Sequence, residues 1–160
     1  MVAQEFTLRL ADARSVEAQS AMSSYFNELD TLFSDGFDPG DALTADVAAY
    51  DSPAGAFVIA ESADGGVVGC GALLTFEPGV GEIKRMWVHP EARGKGLASR
   101  LLRDLEDRSR SMGHERTILD TNEVLHGAIT MYERAGYTAI DRYNDNPYAH
   151  HWFEKRWPTG

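Results

Sequence analysis

The sequence predicts an α/β (α+β) fold, a mixed twisted β-sheet of about six to seven strands flanked by about four helices. Three observations carry this. Short strand-like runs recur along the chain, and apolar residues at helical spacing fill the intervals between them. The elements follow in the order β-α-α-β-β-β-α-β-α-β-β. Strands in succession pair as a meander, and the two later helices act as crossovers, so the sheet is mixed and its helices lie on its faces.

Each element has its own signal. Phe6 to Leu10 alternates as a strand, and Asp12 offers a cap for a helix from about Ala13 to Leu32. The loop "SDGFDPGD" follows, then a short helix from Leu43 to Tyr50 that ends at Asp51-Ser52-Pro53. Ala56–Glu61 and Val67–Phe76 make a hairpin across "SADGG", and Glu82–Val88 is a strand after "EPGVG". Leu97, Leu101, Leu102 and Leu105 set a helical period for 97–112, which Gly113 stops. Arg116–Asp120 is a strand, and Val124–Ala135 is a helix stopped by Gly136. Tyr137–Tyr143 and Ala149–Lys155 are the last strands. At 160 residues, one domain spanning 1–160 is expected, large enough to bury its own core.

Charge and cysteine usage narrow the function. There are 15 Lys+Arg against 25 Asp+Glu, a formal charge of -10, which argues against nucleic acid as a partner. The single cysteine, Cys70, forms no intrachain disulfide and reads as a small core residue, in keeping with a reducing compartment. The opening "MVAQEFTLRLADAR" lacks a signal-peptide pattern, and no window approaches a membrane span. A cytoplasmic location and no membrane partner are therefore expected. The histidines His89, His114 and His126 are scattered, and His150-His151 point to opposite faces of a strand, so no metal site is expected.

The stretch "VHPEARGKGLASRLLRDLE" is the most informative. A strand reaches His89-Pro90, Gly94 and Gly96 follow with Arg93 and Lys95 beside them, and an amphipathic helix begins at Leu97. Such a helix leaves its first backbone N–H groups unpaired and partially positive, and glycine lets an anion approach them without a Cβ in the way. A Walker A loop fails, because Lys95 lies between the glycines and is followed by Gly96. A dinucleotide fingerprint is a near miss: "GKGLAS" ends in Ser99, "HPEAR" separates strand from turn, and a hairpin stands where parallel βα units belong.

The third reading is R-G-x-G-x-A. Arg93-Gly94-Lys95-Gly96-Leu97-Ala98 resembles the pyrophosphate loop of the GCN5-related N-acetyltransferases, the GNAT superfamily, which bind acetyl-coenzyme A. "IKRMWVHPEARGKGLASRLLRDLEDRSRSMG", "ILDTN" and "AITMYERAGY" extend the resemblance over residues 82–137. It implies the acyl-CoA N-acyltransferase fold, with acetyl-CoA as co-substrate and an acetyl group passed directly to a primary amine in a ternary complex. Diphosphate contacts are then implied for the backbone of Arg93 through Ser99. The pantetheine arm is implied to run beside Met86, Trp87 and Val88, with the Val88 N–H facing the thioester carbonyl. Glu82 is implied as general base, and Tyr132 as general acid and contact of the coenzyme sulfur. Asn122 is implied as a pantetheine partner, though an Asn there also suits a helix cap.

The acceptor, by the same resemblance, enters between "ELDTLFSDGFDPGD" and "YNDNPYAHHWF". Glu28, Asp30, Asp35 and Asp38 with Phe33 and Phe37 would suit a small cationic amine. A small-molecule amine is thus the expected partner. A homodimer through Trp152 or Trp157 is a further expectation, set against core packing of both rings. Two other readings stand beside the enzyme: an acyl-CoA-binding sensor or regulatory module without turnover, and a nucleotide-dependent oxidoreductase.

Overall fold

The structure, a computed structural model, describes residues 5–45 and 47–158. Its seven strands are β1 (Phe6–Leu10), β2 (Ala56–Ser62), β3 (Val67–Glu77), β4 (Val80–Val88), β5 (Arg116–Thr121), β6 (Thr138–Ala139) and β7 (His151–Arg156). They form one sheet in the order β1-β2-β3-β4-β5-β7-β6. Only β4 and β5 pair in parallel, so the sheet is mixed as expected. The α-helices are α1 (Val16–Leu32), α2 (Leu97–Ser111) and α3 (His126–Arg134), three rather than about four. The helix expected over 43–50 is reduced to a 3-10 turn at Val47–Tyr50, and Asp46 in that range lies outside the described residues.

Two apolar layers sandwich the sheet. On one face Leu97, Leu101, Leu102 and Leu105 of α2 pack with Ala60, Leu73, Ile83 and Leu119. On the other, Ala18, Met22, Phe26 and Leu29 of α1 pack with Phe57, Ile59, Ala72 and Trp87. The strand alternation that divides these residues is the period-two pattern read from the sequence. Cys70 is fully buried in the second layer, where its thiol donates to the Arg85 carbonyl at 3.2 Å.

Three boundaries differ from expectation for physical reasons. Ser15, not Asp12, caps α1: its hydroxyl accepts from the Ala18 amide at 3.2 Å, while the Asp12 carboxylate is used in a turn by the Arg14 amide. α3 begins at His126 because Asn122 holds the preceding residues in a turn, accepting from the Val124 amide at 2.9 Å. The strand expected over 137–143 pairs only at Thr138 and Ala139, opposite Glu154 and Phe153. The rest of that segment turns inward, where Tyr143 and Asn144 bond to Glu82 and Asp120. Trp152 and Trp157 each lie under an arginine of the same chain, Arg142 at 5.0 Å and Arg110 at 4.5 Å, so both rings are used in packing.

Candidate active site

β4 and β5 are hydrogen-bonded neighbours only at Val80, Gly81 and Glu82, opposite Arg116, Thr117 and Ile118. Beyond Glu82 the strands part, so the sheet splits between Ile83–Val88 and the end of β5. A bulge in β4 accompanies the split: the register with β3 shifts between Cys70 and Ala72, and Arg85 takes φ 60, the left-handed region. It is the only non-glycine residue with positive φ among those described. The bulge changes which side chain faces which layer, placing Arg85 over Phe26 of α1 and Met86 against the α2 layer.

Within β4 the backbone polarity can be followed. The His89 amide donates to Val68 of β3 at 2.8 Å. By alternation along an antiparallel pair, the Val88 N–H and C=O then face away from β3, toward the opening. The Val88 carbonyl accepts from Arg93 Nε at 2.9 Å, as that orientation requires. The free edge that the sequence resemblance implies for a pantetheine arm is thus present at Val88.

The glycine loop meets this edge. Gly94 and Gly96 have φ 78 and φ 79, a conformation costly for residues with a Cβ, and a Cβ built on either meets nothing within 4 Å. Backbone conformation, not crowding, therefore requires glycine, and the space beside the loop is open. Gly96 caps α2 without a side-chain bond, and the Arg100 amide makes the bond back to the Gly96 carbonyl. The amides of Leu97, Ala98 and Ser99 precede that bond and lack an intrahelical partner. The Arg93 side chain is engaged within the protein. Its guanidinium grips both Glu28 oxygens at 2.6 Å, tying the loop to α1 and β4.

A cavity of about 570 Å³ lies along this edge and under the loop. Of the residues expected to bind the coenzyme, Met86, Trp87, Val88, Arg93, Gly94, Gly96, Leu97, Ala98, Ser99 and Tyr132 line it. Two do not. Lys95 Nζ instead approaches the Glu91 carbonyl at 3.1 Å. Asn122 lines the neighbouring cavity, and both ends of its amide are engaged, donating to the Tyr148 carbonyl at 2.7 Å and accepting from Val124. Tyr25, Glu28 and the first turn of α3 also line this cavity. Glu28 was expected at the acceptor and stands here instead; Tyr25 and the first turn of α3 had no local signal, since they arrive by long-range packing.

The second cavity, about 310 Å³, lies on the α1 side of the split. Phe33, Phe37 and Asp38 from one expected acceptor segment and Asn146 and Tyr148 from the other line it, whereas Asp35 does not. Tyr148 bridges the two, stacking on Phe33 at 5.7 Å, packing at a tilt on Phe37 at 4.7 Å and accepting from the Asp38 amide at 3.1 Å. His150 and His151 do not line it; His150 Nδ1 accepts from the Glu123 amide at 3.1 Å. Lys84, Arg85 and Asp120, which sequence reading left out, line it as well. Lys84 and Arg85 are adjacent cations in "EIKRMWV", but which layer each faces depends on the bulge.

Burial shifts both residues expected to move protons, as it does Tyr25, Tyr137 and Tyr143; of the two, Glu82 lines neither cavity. Glu82 is 6% exposed and accepts from the Tyr143 hydroxyl at 2.7 Å. Burial pushes its carboxyl above the ordinary range, against the pull of Lys84 and of the Tyr143 bond. Tyr132 is buried and lines both cavities. Burial raises its pKa well above the usual value, so its hydroxyl stays protonated at neutral pH. Cys70, pushed up to about 12 by burial, is held as a thiol and is no nucleophile.

An open-edged strand, a glycine turn leading into a helix, and a split sheet with a buried tyrosine at the crossing define an acyl-CoA-dependent transferase. The chain belongs to the acetyltransferase (GNAT) family, whose model matches residues 22–137. It is accordingly an acetyl-CoA-dependent N-acetyltransferase. Among curated proteins it is similar to an IAA acetyltransferase of Azospirillum brasilense, 34% identical over 85% of this chain and 88% of that one. It is also similar to an uncharacterized N-acetyltransferase of Schizosaccharomyces pombe, 32% identical over 67% of this chain and 66% of that one. Among solved structures, an acetyltransferase of the GNAT family from Staphylococcus aureus Mu50 superposes with TM-score 0.82 at 14% identity, covering 95% of this chain and 99% of that one. A Salmonella typhimurium protein solved with its cofactor acetyl-CoA superposes with TM-score 0.72 at 18% identity, covering 98% and 96%.

Proposed function

We propose that residues 1–160 act as one domain that acetylates the primary amine of a small molecule by direct attack in a ternary complex. The carrying observation is that Tyr132 lines both cavities, at the split where the Val88 amide faces outward. Acetyl-CoA supplies the activated acyl group. The residues present fit it: open αL glycines, unpaired helix amides and a free strand edge lie along one continuous cavity.

The residues then divide the work. Amides of Gly94 through Ser99 hold the diphosphate, and the backbone of Met86, Trp87 and Val88 positions the pantetheine arm. The Val88 N–H donates to the thioester oxygen as charge develops there, a contribution of roughly 3–4 kcal/mol for such a donor. A primary amine with a pKa near ~10.4 is mostly protonated at pH 7, a handicap of roughly 4–5 kcal/mol. Glu82, its basicity raised by burial, takes that proton directly or through water. Tyr132 protonates the departing sulfur. Asn122, with its amide engaged by Tyr148 and Val124, serves as the turn that aims α3 and not as a pantetheine partner.

The test is Tyr132→Phe in the full chain with acetyl-CoA and an amine panel. A fall in kcat of at least tenfold with little change in coenzyme affinity is expected. An unaffected kcat removes Tyr132 from the chemistry.

A further inference from the structure

The acceptor cavity carries a charge arrangement that a purely cationic amine does not match. Two carboxylates line it, Asp38 and Asp120, and so do two cations, Lys84 and Arg85. Asp38 lies at the exposed rim, and its Oδ1 already accepts from the Gly40 amide at 2.8 Å. Asp120 is deeper and half-buried. Asn144 Nδ2 donates to its Oδ2 at 2.6 Å, and Asn146 Nδ2 approaches its Oδ1 at 3.4 Å. Trp152 Nε1 in turn fixes Asn144, donating to its Oδ1 at 3.0 Å. Asp120 is thus a positioned carboxylate on β5, at the inner end of the segment that carries Tyr148.

Across the split, on β4, the bulge presents Arg85 with its guanidinium over the Phe26 ring at 5.1 Å. The two strands therefore face the same space with opposite charges. The remaining wall is aromatic: Phe26 stacks on Phe37 at 5.6 Å, and Phe33 and Phe37 both pack on Tyr148. Asp120 and Tyr132 line this same cavity, and the charge of Asp120 adds to the burial that raises the pKa of Tyr132 and of Glu82.

We propose that the acceptor is an aromatic α-amino acid, its amine at Asp120, its carboxylate at Arg85 and its ring among Phe26, Phe33, Phe37 and Tyr148. This rests on the acetyltransferase reading above and narrows its acceptor class. Each charge on a zwitterion finds its opposite here, whereas a polyamine or aminoglycoside would bring more cations to Lys84 and Arg85. The ammonium first gives one proton to Glu82. The nitrogen then forms the new C–N bond, the C–S bond breaks with its electron pair on sulfur, and Tyr132 supplies the sulfur's proton. A second nitrogen proton leaves to solvent, the proton on Glu82 passes through water to the Tyr132 phenolate, and the products are an N-acetyl amino acid and free coenzyme A.

The experiment uses the full chain and acetyl-CoA, with thiol release as readout. L-phenylalanine and L-tryptophan are compared with phenethylamine, tryptamine, L-alanine and spermidine. Coenzyme binding is followed in parallel by thermal shift. Both aromatic amino acids are expected to exceed every other amine by at least tenfold in kcat/KM, because a site built for a polar group rejects analogues that lack it. Arg85→Gln should bring the phenylalanine-to-phenethylamine ratio close to one, and Arg85→Lys should restore part of it. Equal or faster turnover of phenethylamine or spermidine overturns the acceptor class. So does a chain that binds acetyl-CoA yet acetylates neither aromatic amino acid, while the acetyltransferase reading stands. Absence of any coenzyme-induced shift overturns both.

Discussion

At the residue scale, Glu82 and Tyr132 illustrate how burial sets proton chemistry. Both are removed from water, and burial favours the neutral form of each. For Glu82 the consequence is a base whose pKa lies above the ordinary 4.5. The base must be ionised to act, so kcat rises with pH through that raised value. The acid limb of the kcat–pH profile is expected above the ordinary carboxylate range and absent in Glu82→Gln. The same variant removes a buried charge while keeping an acceptor for the Tyr143 hydroxyl, so its thermal midpoint should equal or exceed that of the parent as kcat falls. A lower midpoint would mean the carboxylate is needed for folding. The places of both on β4 and α3 were legible in the sequence because each sits in a motif tied to a strand or helix; their roles are those proposed above. The contribution of Arg85 was not. Its orientation follows from a bulge, and nothing local in "IKRMW" specifies where the extra residue falls.

At the element scale, α2 joins the core to the glycine loop. Leu97, Leu101, Leu102 and Leu105 are at most 1% exposed, so their packing fixes where the helix begins. Leu101→Ala should cost about 2–5 kcal/mol in urea unfolding, the usual range for such a cavity. Gly96→Ala acts differently. A Cβ there meets nothing within 4 Å, so the expected loss is about 1–2 kcal/mol from its φ of 79. The KM for acetyl-CoA should rise much more than stability falls, since the methyl group changes the turn that presents the amides. Equal KM values for parent and variant would separate the loop from the coenzyme. Helices α2 and α3 were read nearly to their ends from apolar spacing and terminal glycines. The segment after Ala139 was not, because its course is set by bonds to Glu82 and Asp120 that no periodicity encodes. The start of α1 was misplaced by the same kind of competition, two neighbouring capping residues with one turn to divide between them.

At the scale of the whole molecule, the split between β4 and β5 leaves the sheet held together at its narrow end by buried polar bonds. His114 belongs to that end. Its Nδ1 and the Ser109 hydroxyl lie 2.7 Å apart, and its Nε2 and the Thr75 hydroxyl 2.9 Å apart. Thr75 donates onward to the Ala54 carbonyl at 2.7 Å, so Nε2 carries the proton and Nδ1 accepts from Ser109. Burial lowers the pKa of His114 below 6.5. A histidine with a depressed folded pKa contributes stability above its unfolded value, and that stability is lost as pH falls below about 6.5 toward the folded pKa. The urea midpoint should therefore decline between pH 7.5 and 5.5, and His114→Gln should flatten the decline. A slope unchanged in the variant would assign the effect elsewhere. No helix among the described residues is long and apolar enough to cross a membrane. The pattern of charge and periodicity made the mixed sheet legible, while the width of its split was left to tertiary packing. The most direct test of the account is a crystal structure with bound acetyl-CoA. Diphosphate oxygens accepting from amides between Gly94 and Ser99, with the thioester carbonyl at the Val88 N–H and the sulfur at the Tyr132 hydroxyl, is the predicted result. Coenzyme bound away from the split, or sulfur out of reach of Tyr132, would contradict it.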